Sequence, residues 1–264
     1  MNGRKITKVT LLHYIKLTYR SILFICGLLW YILVKTGNKK VSLNEIPSGA
    51  VAVVPAIIWL VFMVEMILRF FPSHLESPGC QKQFRDNYIS TGKTDIIIQD
   101  DNATVIVAFI WIILNAGIGA LYMTNILDQG IMLLLSLMYS ICDIICILFF
   151  CPFQSWFLKN KCCSTCRIYN WDYAMMFTPL FFVPGKYTWS LLLASVILLV
   201  RWEITVWKYP ERFSENTNAY LKCTNCSEKL CVHKTQLKRL WDKLNIEKKL
   251  KEKRILQGIE KQKK

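Results

Sequence analysis

No glycine-rich phosphate loop, Gly-x-Ser-x-Gly elbow, dinucleotide fingerprint or His-Glu-x-x-His helix occurs anywhere in this chain. Each absence removes the chemistry that depends on that arrangement: phosphate cradled by glycine-freed amides, an exposed nucleophilic serine, a bound dinucleotide, or zinc held one helical turn apart. Enzymes with less stereotyped sites stay open, but a non-enzyme is the first reading. Acidic residues are also scarce, 18 Asp and Glu against 33 Lys and Arg, which leaves a net charge of +15. No internal repeat is visible, which argues against a transporter built from inverted repeats. No small-residue cleavage site follows the first apolar run either. Val34 leads directly into Lys-Thr-Gly-Asn-Lys-Lys, so the basic N-terminus and the run after it read as an uncleaved signal anchor.

What the chain has in abundance is apolar sequence. Hydrophobic residues make up 53% of it, and they come in long blocks rather than in the short periodic segments of a soluble domain, which is the composition of a membrane protein. The expected fold is all-α, a polytopic helical integral membrane protein with about six membrane segments near 17–34, 50–71, 103–127, 131–151, 171–184 and 187–207. The fifth, with a core at 173–183, is short, either spanning or re-entrant, because eleven residues reach only about 16 Å as a helix. It crosses only if helix continues back through Tyr169, carrying Asp172 to the interface; five segments with an external tail is the alternative. Asp128-Gln129-Gly130 is so tight a link that segments three and four form an antiparallel hairpin. Residues 73–102 read as a polar loop, with a loop carrying a short surface helix as the alternative. Trp189, Trp202 and Trp207 flank the last segment as interfacial aromatics would.

Orientation follows the basic residues near segment ends. Arg4, Lys5, Lys8, Lys16 and Arg20, then Arg69, Lys82, Arg85, Lys93, Lys159, Lys161 and Arg167, fall on one side, against Lys35, Lys39, Lys40 and Lys186 on the other. The bias places both termini in the cytosol and the protein in the plasma membrane.

Six cysteines and His233 cluster in two places. Cys163 and Cys166 form one Cys-x-x-C pair and Cys223 and Cys226 another, with Cys162, Cys231 and His233 as alternates. Such turns let two thiolates converge on a single ion, and two of them complete a tetrahedral zinc site. The expectation is a small cytosolic Cys-rich knob, in which residues 208–233 pair with 162–166 around structural zinc. An iron–sulfur cluster, or reduced thiols without metal, are the alternatives. Cys26, Cys80, Cys142 and Cys146 read as packing residues.

Charges inside apolar runs are the other signal. Glu65 and Arg69 stand one turn apart on the second segment, Asp143 lies at similar depth on the fourth, and Asn115 sits among small residues on the third. Buried ionic groups cost several kcal/mol unless paired or wet, so all four are expected to face the interior and one another. They would serve either as interhelical glue or in a proton or ion step. Arg201 and Glu203 are expected at the interface. The tail, 234–264, carries Leu237, Leu240, Trp241 and Leu244 at helical spacing amid lysines. It reads as a basic amphipathic helix on anionic lipid headgroups. Residues 208–264 hold 16 Lys and Arg against 7 Asp and Glu. Charge alone does not make a nucleic-acid reader, and no such module is recognisable.

The functional reading at this level is a membrane protein with a zinc-clamped Cys-rich site, acting in assembly, scaffolding or regulation. A membrane redox protein and a small carboxylate-using transporter are the alternatives.

Overall fold

The computed structural model describes residues 7–37, 53–73, 75–98, 101–158, 162–222 and 224. Among them the chain is all-helical, and one isolated antiparallel bridge, Ser90 to Asn218, is its only β pairing. Four helices have the length and apolar composition to cross a bilayer. They are α1 (Lys8–Thr36), α4 (Asp101–Met123), α5 (Gln129–Leu148) and α7 (Lys186–Lys208). Between them lie α2 (Val53–Arg69), 17 residues or about 25 Å long, the single turn α3 (Pro78–Gln81), and the short α6 (Asp172–Phe177).

The helix α1 starts earlier than hydropathy indicates. Thr7 caps it, its hydroxyl accepting from the Thr10 amide at 3.3 Å. Val9, His13, Arg20, Gly27, Trp30 and Val34 make a buried stripe at helical spacing, while Ile22, Ile25, Leu29 and Leu33 face outward. Helix association in lipid depends on close packing and small residues rather than on water exclusion, and α1 meets α5 accordingly. At Gly27 a Cβ would stand 2.9 Å from Leu137 Cδ1, so the leucine packs directly onto the glycine backbone and would have to shift to admit a side chain there.

Asp128 sets the geometry of the far end. Its carboxylate accepts from the Ile131 amide at 3.0 Å as the N-cap of α5, and also binds Tyr31 and Lys35 of α1 at 3.0 Å each. With Lys35 at Asp128 and Arg20 at Asp143, α1 and α5 run antiparallel. Trp59 of α2 donates to Ser190, and Arg201 donates to the Phe70 carbonyl just past α2, so α2 and α7 run parallel.

The fifth segment is not a continuous helix. One and a half turns of α6 give way to a 3-10 turn at Thr178–Phe182, where Pro179 removes the amide that an α-helix would need. Phe182 ends against Gly119, where a Cβ would lie 2.3–2.6 Å from its ring. Lys186 then begins α7, whose stripe Leu191, Ser195, Leu198, Trp202 and Val206 is buried. Trp202 is therefore a core residue, not an interfacial one: it is fully buried and its indole donates to the Arg167 carbonyl at 2.8 Å. Trp189 and Trp207 do face outward.

The end of the bundle at which α1 begins, called here the near end, carries the described residues that follow α2, α5 and α7. The polar interlude after α2 is not a free loop. It packs through α3 against the turns at 163–165, 169–171 and 219–221, and a 3-10 turn at Arg85–Asn87 follows. The Ala219 amide donates to Ile89 at 2.7 Å, the Thr91 amide to Thr217 at 3.0 Å, and Arg212 to the Gln83 carbonyl at 3.1 Å. Phe153–Leu158 forms a π-helical turn.

Candidate functional site

Two constellations share the near end, one inside the bundle and one capping it. The inner one centres on Arg20, which is 0% exposed. Its guanidinium donates to Glu65 of α2 at 2.7 Å, to Asp143 of α5 at 3.1 Å and to the Ser140 carbonyl at 2.8 Å. Tyr173 of α6 donates its hydroxyl to the same Glu65 oxygen at 2.5 Å. The second guanidinium, Arg69, pairs with Asp172 and reaches Asn170 at 3.4 Å and Glu76 at 4.0 Å. Lys16, one turn before Arg20, closes the series on Glu76 at 3.0 Å. Tyr173 lies between the two guanidiniums, its ring 4.6 Å from Arg69 and 5.9 Å from Arg20.

Glu65 and Arg69 therefore do not pair with each other. Each takes a partner from a different helix, and both partners, Arg20 and Asp172, are residues that the sequence suggests lie at the membrane edge. Asn115 donates to the Trp111 carbonyl of its own helix at 3.0 Å, and no hydrogen bond joins it to Glu65, Arg69 or Asp143. The signal for Arg20 was its spacing: Val9, His13, Arg20, Gly27 and Trp30 share one face, and a charge on a buried face needs a partner.

Glu76 lies outside the helices. Burial opposes its ionisation, but Arg69 and Lys16 outweigh that and hold its carboxyl down at about 2.

The cap is organised around the first cysteine group. Cys162 leads into a 3-10 turn, Cys163–Thr165, that closes from the Cys166 amide to the Cys163 carbonyl. Lys82, 1% exposed, donates to the carbonyls of Ser164 at 2.9 Å and Cys166 at 2.7 Å. Its ammonium also lies 5.3 Å from the rings of Trp202 and Phe213. Burial pushes this amine down to about 7, with Arg167 acting the same way and Cys166, Cys162 and Cys163 opposing. The Cys166 thiol is pushed up to about 12, again by burial, with Lys82 acting the other way. Gly79 admits the Tyr169 ring, whose hydroxyl accepts from Ser77 at 2.5 Å. Arg167 and Glu203 form an ion pair that the Trp171 indole joins at 2.6 Å.

The thiols do not all point one way. Cys163 Sγ lies 3.8 Å from the Ile147 carbonyl and from Gln154 Oε1, toward the bundle. Cys162 Sγ lies 3.2 Å from Ser164 Oγ, which itself stands 3.4 Å from the Leu221 carbonyl. Cys223, Cys226, Cys231, His233 and the tail lie outside the described residues, and among the described residues no three acid, cysteine or histidine groups converge to hold a metal.

No family model, no curated protein and no solved structure matches the chain. Fold and site alone therefore define its class: an all-helical protein with four candidate membrane-spanning helices, an ion-paired interior and a lysine-supported cysteine turn at one end.

Proposed function

We propose that this chain is a non-enzymatic plasma-membrane protein that presents a zinc-clamped Cys-rich cap at the cytosolic face, serving assembly, scaffolding or regulation there. The observation that carries the reading is the approach of Ser164 Oγ to the Leu221 carbonyl at 3.4 Å. It brings the chain to the first cysteine turn two residues before Cys223. Closed four-thiolate sites fold a protein rather than catalyse, and a clamp here would tie the C-terminal segment to the bundle. The placement of the first two sulfurs favours Cys162, rather than Cys163, as the residue that would join Cys166, Cys223 and Cys226 in the ligand set. Cys163, turned toward Ile147, would be the spectator.

The N-terminus at the near end agrees with the positive-inside bias, and the basic tail would lie on anionic headgroups of that leaflet. The one-sided reach of the inner ion pairs disfavours a transporter. Between Arg20 and the far-end group around Asp128, the α1 stripe is Gly27, Trp30 and Val34, packed on Ile58, Phe62 and Leu137.

Elemental analysis of purified wild type beside Cys162→Ser, Cys163→Ser and Cys223→Ser tests the clamp. The expected result is a single zinc per chain, lost with Cys162→Ser and Cys223→Ser and kept with Cys163→Ser. A wild type free of zinc overturns the reading, and visible iron–sulfur absorbance would replace it with the redox alternative.

A further inference from the structure

The ion pairs inside the bundle separate into two groups of different net charge. The outer group, Lys16, Glu76, Arg69 and Asp172, holds two cations and two carboxylates and is balanced. The inner group is a single guanidinium, Arg20, between the carboxylates of Glu65 and Asp143. It is left one negative charge in surplus.

Such a surplus is costly in the low dielectric of a helical bundle in lipid. The other groups packed around it do not remove it. Tyr173 of α6 donates to Glu65 and is neutral, Asp172 adds negative charge, and Arg69 is engaged by Asp172 and Glu76. His13, on the same stripe of α1, is held through Nδ1 on the Val9 carbonyl at 2.8 Å. Arg201 turns to the Phe70 carbonyl instead. Two polar atoms of the triad, Arg20 Nε and Glu65 Oε1, are buried without a hydrogen-bond partner. A metal cation is a poor match, because no three acid, cysteine or histidine groups among the described residues converge on one point.

We propose that the Glu65–Asp143 pair is a proton-binding site, holding one proton in the resting protein and exchanging it with the near end of the bundle. The proton comes from water at that end and bonds to one carboxylate oxygen of the pair, leaving the triad neutral. Lys16 and Glu76, both partly exposed, mark the route by which the interior meets solvent. The apolar packing of Leu137, Leu134 and Ile58 around Gly27 closes the other direction. The site thus binds and releases without conducting. It does not depend on the zinc clamp.

Infrared spectroscopy of the full chain in lipid nanodiscs reads the proton directly, through the C=O stretch of a protonated carboxylic acid. At neutral pH wild type is expected to show that band, and Glu65→Gln and Asp143→Asn each to lose it, since either leaves a balanced pair with Arg20. Asp172→Asn, in the outer group, is expected to keep it. Both loss variants replace a carboxyl by its neutral isostere and are expected to fold with wild-type helical content, so either serves if the other does not express. A folded wild type without the band, or a band that survives in both variants, overturns the proposal. A band abolished by sodium at fixed pH overturns it in favour of a metal cation.

Discussion

Arg20 is the side chain on which α1, α2 and α5 converge, and its removal breaks both inner ion pairs at once. Arg20→Met keeps the length and packing of the side chain but leaves Glu65 and Asp143 facing each other without a counter-charge. Breaking a buried ionic group by deleting one partner costs about 3–5 kcal/mol. Thermal unfolding in detergent is expected to show that loss, with Glu65→Gln in the same background restoring part of it. Glu76 gives the pH dependence. Its carboxyl sits at about 2 in the folded protein against an ordinary value of 4.5, so the unfolded chain takes up its proton first. The stability it contributes is fully present above 4.5 and is lost as pH falls toward 2, about 3 kcal/mol in all. Acid unfolding of Glu76→Gln is expected to be flatter than wild type across that window; identical slopes would remove Glu76 as the cause. Neither role is visible in a hydropathy profile. Glu65 and Asp143 stand out in the sequence as charges inside apolar runs, but their partner does not, because Arg20 lies where a basic residue ordinarily marks a helix end.

At the scale of elements, the short α3 turn and the cysteine turn fit together through one glycine. A Cβ on Gly79 would stand 2.6 Å from the Tyr169 ring and 2.9 Å from the Cys163 carbonyl. The second of these contacts is backbone and cannot swing aside. Gly79→Ala is therefore expected to cost about 1–3 kcal/mol and to raise the reactivity of Cys166 toward maleimide as the cap loosens. A Gly79→Ala protein with unchanged melting and labelling would show that the two turns move freely. The paired glycine and tyrosine are ninety residues apart in the chain, so no local pattern announces them. The break in the fifth segment was legible in part. Its shortness was evident from eleven apolar residues, and Thr178-Pro179 supplies a mechanism, yet the partner of Asp172 was not. The sequence suggests a carboxylate carried to the interface, and the fold adds Arg69, which holds it 8% exposed against neighbouring segments. Tertiary pairing offsets the cost that would otherwise drive an acid to water.

For the whole molecule, the consequence is a two-ended object in which all the ion pairs among the described residues except Lys35–Asp128 lie at one end. Cysteine reporters at Ser90, Glu211 and Asn216 lie near the start of α1, and reporters at Gln129 and Lys186 at the opposite end. An impermeant maleimide applied to intact cells and to inverted vesicles is expected to divide them into those two sets, with the first set reached only in inverted vesicles. Mixed labelling within either set would contradict the arrangement of α1, α2, α5 and α7. Long apolar runs are enough to dictate helices and a bilayer, because an unpaired backbone amide in hydrocarbon has no partner but its own helix. That constraint acts within each segment, and so it can be read segment by segment. Which charge meets which, whether Cys162 or Cys163 faces Leu221, and how Trp202 came to be enclosed depend on contacts between segments distant in the chain. Those contacts are set by helix faces and small-residue packing in three dimensions, and composition and spacing hold no record of them.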